Sequence, residues 1–452
     1  MTDPKILQQR RQNLARALDI PVILWSGQAV SRNFPANRFP FRASSHFLYF
    51  TGYSLENAAI RLEAGQLELF ADDPSPESCL WHGEAPTTAE IALSIGADAH
   101  YPLSQLPSRA QNAATLAVQD LATRAQQSRI LQRAVEFPPT AEDLELAKAI
   151  VGLRLCHDEA ALRELRTSAA VAVEAHLAGM RAARRAKTEA EVRSAIEGVI
   201  IARNMTCSYN SIVTTRGEVL HNERYDNRLQ PGDLILADVG AETQSGWASD
   251  ITRTYPVGGE FSPTQRQIYE IVLAAHDACI ARIRPEVEYL DIHLLAASIL
   301  TEGLVDVGIL RGNVADLVER DVHALFFPHG VGHLLGLDVH DLEDLGDLAG
   351  YEWGRQRSDR FGLKYLRLNR PLQSGMVVTI EPGFYQIPGI LHDPKTRSRY
   401  GDAVNWERLA QFSDTRGIRI ENDVLVNKSG AEVLTAKLPR RVEDIAIVQN
   451  SF

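Results

Sequence analysis

Four acids and a group of histidines stand where packing and turn chemistry do not require them. Leu229–Asp238 reads L-Q-P-G-D-L-I-L-A-D and Leu372–Glu381 reads L-Q-S-G-M-V-V-T-I-E. Each is L-Q-x-G, an apolar run and then a carboxylate. A turn feeding a buried strand accounts for everything except the final acid. A carboxylate closing an apolar strand is unfavourable unless it is paired or holds a cation. The match reads as two halves of one domain, each delivering a carboxylate to a shared centre; common turn chemistry is the plainer alternative.

The continuation LILADVGAETQSGWASDITRTYPV is a hairpin with its turn near Thr243–Gly246. A turn centred on Gln244 sets Asp238 opposite Asp250, with Cβ atoms about 4.5–5.5 Å apart. Carboxylates that close repel unless a proton or a cation lies between them. One solvated and one turn aspartate fits poorly with the apolar and β-branched flanks. Glu381 follows M-V-V-T-I and precedes Pro382-Gly383. In Gly417–Glu421, alternation puts Ile418 and Ile420 on one face and Arg419 and Glu421 on the other. Alone, that pair would be an ordinary exposed strand face; the other carboxylates give it weight.

Four converging carboxylates call for cations. The imidazole comes from Pro328–Asp341, where His329, His333 and His340 are interleaved with Gly330, Gly332 and Gly336. Such glycines let backbone approach a ligand closely. An oxygen-rich set with an imidazole suits Mn first, with Zn or Co as alternatives. His221, in a loop shortly before Asp238, is a further candidate. His176 and His276 fall on predicted helices and read as packing or surface, and His392 stays unassigned.

These residues need a scaffold. From about residue 157, helices are expected over 157–185, from Thr188 with a Thr188/Glu191 capping box, from Ser262-Pro263 with a Ser262/Gln265 box, and over 290–302. Apolar strands bounded by Pro-Gly and Ser-Gly turns lie between and after them, an α+β arrangement. Residues 1–156 read as a smaller α/β domain, with a helix at 5–19, a strand at 21–25, short strands near 47–51, 58–62 and 66–71, and helices over 108–127 and 141–152.

Whole-chain properties exclude several classes. The 452 residues carry 58 acids against 47 bases, a net charge of -11, and no basic run suited to nucleic acid. The basic cluster at Arg181–Lys187 reads as a complement to a helix end. Four dispersed cysteines without a CxxC pair argue against a disulfide framework or a thiolate zinc site and suit a reducing compartment. The sequence MTDPKILQQRRQ lacks an apolar signal segment, and no apolar run is long enough for a membrane span. A cytoplasmic protein is the expectation.

The set Asp238, Asp250, His333, Glu381 and Glu421 resembles the dimetal site of the methionine aminopeptidase-like pita-bread peptidases. SDITRTYPV, HGVGHLLGLDVHD, VVTIEPG and GIRIEND resemble the proline-directed branch, aminopeptidase P and prolidase. Phe41–Gly52 resembles the aminopeptidase P N-terminal domain. The resemblance implies a pita-bread catalytic domain over 157–452 with an internal pseudo-two-fold repeat, preceded by an aminopeptidase P-like domain over 1–156. It implies two divalent ions held by those five residues, with Glu381 as proton shuttle. His329 and His340 would stabilise the intermediate or bind substrate, His221 would face substrate, and Arg419 would hold Glu421 or reach a substrate carboxylate. Small proline-containing peptides are the implied partners, and a homodimer or homotetramer the expected assembly. The implied activity is Xaa-Pro aminopeptidase, with Xaa-Pro dipeptidase as the alternative. A metal-free hydrolase of the creatinase type or a binding protein of the same fold is disfavoured by the complete ligand set. Two segments, Leu342–Arg370 and Pro388–Thr415, depart from the compact aminopeptidase P pattern and resemble insertions of prolidases. The first reads as either a solvated excursion or a rim limiting peptide length.

Overall fold

The computed structural model describes residues 2–451, which divide into two compact units, 2–160 with Leu342–Ala349, and 161–341 with 350–451. In the first unit, the fully buried strand Val22–Trp25 lies between Ala59–Glu63, antiparallel, and the short Ala114–Thr115, parallel. Gln66–Phe70 and Ala99–Tyr101 complete a five-stranded mixed sheet. Helix Pro4–Ala17 begins at Asp3, whose carboxylate accepts from Lys5 N, with proline in the first turn.

Two expectations for this unit are corrected. Residues 45–51 form a helix, not a strand, buried along its whole length and ended by left-handed Gly52. A short apolar run fits either state, and here the Ser44 and Gly52 boundaries mark the helix. Residues 108–127 are not one helix. A turn at Asn112, φ 55°, leads into Ala114–Thr115, and a new helix, Leu121–Leu131, starts where Asp120 accepts from Thr123 N. Pairing of Ala114 N with Pro21 O overrides the helix propensity of the alanines.

The second unit is α+β. Four long helices, Glu159–Ala182, Glu189–Ala202, Pro263–Arg282 and Tyr289–Asp306, accompany two three-stranded sheets. One sheet places Leu234–Asp238 between Thr252–Pro256 and Ile212–Thr214; the other runs Val377–Ile380, Asn422–Val426, Ala431–Val433. The two L-Q-x-G segments fold alike. Asp233 N donates to Gln230 O at 3.0 Å and Met376 N to Gln373 O at 3.1 Å. The glycines at the third turn position are left-handed, Gly232 at φ 95° and Gly375 at φ 99°. Each turn then releases a fully buried strand ending at or just before its acid.

The Ser262/Gln265 capping box is complete. At the preceding helix only half the expected box forms: Thr188 Oγ1 accepts from Glu191 N, but the Glu191 carboxylate accepts from Lys187 N.

The 234–256 hairpin differs from expectation by two residues. Its loop closes with Gly246 N to Thr243 O and Thr243 N to Trp247 O, with Gly246 left-handed at φ 91°. This is a three-residue loop rather than one centred on Gln244. Asp238 therefore faces Thr252, and Asp250 lies diagonally, still on the same face. The segment after His340 is not a solvated excursion. Leu342 and Leu345 are buried in the first unit, Tyr351, Leu366 and Leu368 in the second. Arg355 pairs with Glu288 at 2.6 Å and Arg360 with Asp321 at 2.9 Å.

Candidate active site

The two halves meet through backbone. Glu421 N donates to Thr252 O at 3.0 Å, and Thr254 Oγ1 exchanges hydrogen bonds with Arg419 N and O, each 3.1 Å. Asp238, Asp250 and Glu421 are thereby brought together from separate strands, with carboxylate oxygens within 4.8 Å of one another. His333, Glu381 and Glu421 form an overlapping group on the same criterion. The histidine segment docks against Val377–Ile380, with Thr379 N donating to His333 O at 3.0 Å. Gly332 makes that possible, since a Cβ there would stand 2.2 Å from Thr379 O and 2.3 Å from the Tyr289 hydroxyl. The glycine thus serves approach to a neighbouring strand, where approach to a ligand was expected.

The donor set fits metal. His333 Nδ1 meets Leu334 O at 2.9 Å, which assigns the ring proton to Nδ1 and frees the Nε2 lone pair. Nε2 stands 3.4 Å from Asp250 Oδ2 and 3.7 Å from Glu381 Oε1. Two donors each about 2.1 Å from one ion stand roughly 3.0–3.4 Å apart. Burial first, and then neighbouring carboxylates, push Asp250, Glu381 and Glu421 far above the ordinary carboxylate range. Arg419 is buried among these acids and bonds Asp238. One cation does not balance four carboxylates, so the site is built for further positive charge.

Several contacts were not foreseen. Arg419 holds Asp238, not Glu421; it also donates to Tyr385 Oη at 3.0 Å and Thr252 Oγ1 at 3.0 Å. Glu421 accepts instead from Thr252 Oγ1 at 2.7 Å. The Tyr209 hydroxyl lies against both Asp238 and Asp250. Asp423, fully buried, accepts from Asp250 N at 3.1 Å and so fixes the backbone behind that acid. Thr252 and Asp423 lie inside phrases singled out in the sequence, whereas Tyr209 and Tyr385 carried no local signal.

His340 packs edge-on against His333, ring centroids 4.2 Å apart, and shares a possible donor group with Asp250 and His333. His329 engages both ring nitrogens within the protein, Nδ1 with Gly330 O and Nε2 with Tyr385 Oη, each at 2.8 Å. Burial, followed by Arg419, lowers its pKa to about 3, so it is neutral. His221 lines the cavity, while His176 and His276 sit on helices and are buried, packing rather than surface of the two alternatives expected. The cavity, about 880 Å³, is also lined by Arg357, Tyr365 and Arg367 from the 350–370 segment and by Ile387 and Ile390.

Comparison with known proteins decides the family. Residues 163–428, more than half the chain, match metallopeptidase family M24, and residues 7–120 match the aminopeptidase P N-terminal domain. The chain belongs to metallopeptidase family M24. It is a metallopeptidase with a pita-bread domain behind an aminopeptidase P-type N-terminal domain. A Penicillium rubens protein named "Probable Xaa-Pro aminopeptidase" is 34% identical over 90% of this chain and 88% of its own length. The human Xaa-Pro dipeptidase is 38% identical over 66% of this chain and 60% of its own. Escherichia coli aminopeptidase P with the inhibitor Pro-Leu superposes with a TM-score of 0.80 and 26% identity, covering 99% and 98% of the two chains. Membership of M24 implies a dinuclear metal site, and these acid and histidine groups could hold metal.

Proposed function

We propose that this M24 member is an Xaa-Pro aminopeptidase, releasing the first residue of peptides with proline in second place. The observation that carries this reading is the five-donor cluster in a chain matched along nine-tenths of its length by a relative of that name. Asp238, Asp250, His333, Glu381 and Glu421 are the proposed holders of two divalent ions. Manganese is the first choice because four of the five donors are carboxylates, with zinc or cobalt as alternatives. When bound, such ions supply Lewis acidity at the scissile carbonyl and acidify water.

The protein's own residues then have distinct tasks. Glu381 is the proposed proton carrier, taking a proton on its carboxylate and returning it to the leaving proline nitrogen. His340 is proposed to donate to the developing oxyanion. The Arg419–Tyr385–His329 chain fixes the wall behind the cluster, and Asp238 is held in place by Arg419. His221 is a proposed substrate contact.

Similarity to the human dipeptidase supports a second reading, cleavage of Xaa-Pro dipeptides. On that reading Arg357 and Arg367 would bind the proline carboxylate. With manganese present, kcat/KM for Ala-Pro-Ala should exceed that for Ala-Pro; the reverse order would make the protein a dipeptidase. Four dispersed cysteines, none in a disulfide among the described residues, support a reducing, cytoplasmic setting. Exposed Leu80, Trp81 and Trp353 support assembly as a homodimer or homotetramer, which sedimentation would test.

A further inference from the structure

The cavity contains a carboxylate outside the metal cluster. Glu223 lines it beside Asn210 and His221. Its placement is built. On one side, buried Asn222 donates to Thr214 Oγ1 at 2.8 Å and accepts from Arg224 N at 2.9 Å, closing an Asx turn across Glu223. On the other side, the Tyr225 hydroxyl donates to Ser211 O, and the Arg193 guanidinium lies 4.1 Å from the Tyr225 ring centre. The loop is thus pinned on both flanks of Glu223.

The side chain is restrained as well. Oε1 accepts from Asn210 Nδ2 at 3.0 Å. No lysine or arginine among the described residues pairs with it; the adjacent Arg224 is turned to Asp226 at 2.8 Å. A carboxylate that is oriented, uncompensated and open to a substrate cavity is complementary to a cation arriving with the substrate.

The location indicates which part of the substrate. Asn210 directly follows Tyr209, whose hydroxyl lies against Asp238 and Asp250. Glu223 and the carboxylate cluster thus line one cavity, joined through the consecutive residues Tyr209 and Asn210. Cleavage of the first peptide bond sets the carbonyl of residue one at that cluster and confines its side chain to the surrounding wall. The cavity-lining cations Arg357 and Arg367 come instead from the 350–370 segment.

We propose that Glu223 is a specificity-determining residue that receives the cationic side chain of a lysine or arginine in first position. This rests on the aminopeptidase reading above and names the substrate class within it. The pairing is partly solvated, so its contribution is a modest multiple and is screened by salt.

The test compares Lys-Pro-Ala with its uncharged isostere norleucine-Pro-Ala on the metal-loaded full-length protein. The expected kcat/KM ratio is about three- to five-fold in favour of lysine, expressed mainly in KM and shrinking in 0.5 M salt. In Glu223→Gln the ratio should collapse toward one. Glu223→Lys should reverse the order between Lys-Pro-Ala and Glu-Pro-Ala. An unchanged ratio in Glu223→Gln overturns the assignment. So does an equal loss on both peptides, which would make Glu223 a contact to the α-ammonium. A lysine preference at position three, read with Ala-Pro-Lys, would also overturn it. Those outcomes leave the peptidase reading standing. Failure of the unmodified protein to cleave any proline peptide would end both.

Discussion

At the scale of single residues, the site is a balance of charge. Asp250 is held at its backbone by Asp423 and at its carboxylate by Tyr209, and it faces His333 Nε2 at 3.4 Å. Asp250→Asn keeps the shape and removes the charge. It should fold with an unchanged circular dichroism spectrum, bind less than the full metal complement and lose peptidase activity. Full metal content with wild-type turnover would remove Asp250 from the centre. His340 is less determined, because its ring could serve either the metal cluster or the substrate. As an oxyanion donor, its loss in His340→Ala should lower kcat by about 10²–10³-fold with metal content unchanged. Loss of metal, with activity returning at high manganese, would reassign it as a ligand.

At the scale of elements, glycine positions carry much of the precision. In Gly332→Ala the new methyl would meet Thr379 O and the Tyr289 hydroxyl, both backed by buried structure. Overpacking of this kind destabilises by about 1–3 kcal/mol. A lower melting temperature and weaker metal retention are expected together, because the displaced segment bears His333. An unaltered melting temperature would show that the segment can shift freely. The two L-Q-x-G turns were legible in the sequence because turn type, apolar run and acid are all local. The hairpin partner of Asp238 was not, since a loop one residue out of place changes every pairing while keeping each side chain's face. That preserved face is why Asp250 still reaches the cluster. Tyr209 lies far from the motifs in sequence and Tyr385 just beyond one of them; both act through hydroxyls, and no residue pattern marked them. Residues 47–51 and 108–127 depart from the expected strand and helix because aromatic and alanine-rich runs suit either state until sheet pairing and caps decide.

At the scale of the whole molecule, buried histidines couple stability to pH. Burial lowers His176 and His293 to about 4 and His323 to about 3, each below the ordinary value of 6.5. A base whose folded pKa is depressed contributes stability above its unfolded pKa, and loses it as pH falls toward the folded value. The metal-loaded protein should therefore weaken from pH 6.5 toward 4, these three protons alone contributing roughly 4 kcal/mol per pH unit. His293→Leu should flatten that slope by roughly 1.4 kcal/mol per pH unit in urea titrations. An identical slope would place the acid sensitivity elsewhere.

The proposed centre, five donors serving metal-dependent cleavage before proline, draws on strands of both halves of the catalytic domain. The most direct measurement strips the protein of metal and restores manganese stepwise, with mass spectrometry of the products from Ala-Pro-Ala and Ala-Ala-Ala. Alanine and Pro-Ala should appear only as manganese is restored, reaching a maximum near two ions per chain, with Ala-Ala-Ala left largely intact. Cleavage that persists in the stripped protein, or equal cleavage of both peptides, would contradict the account.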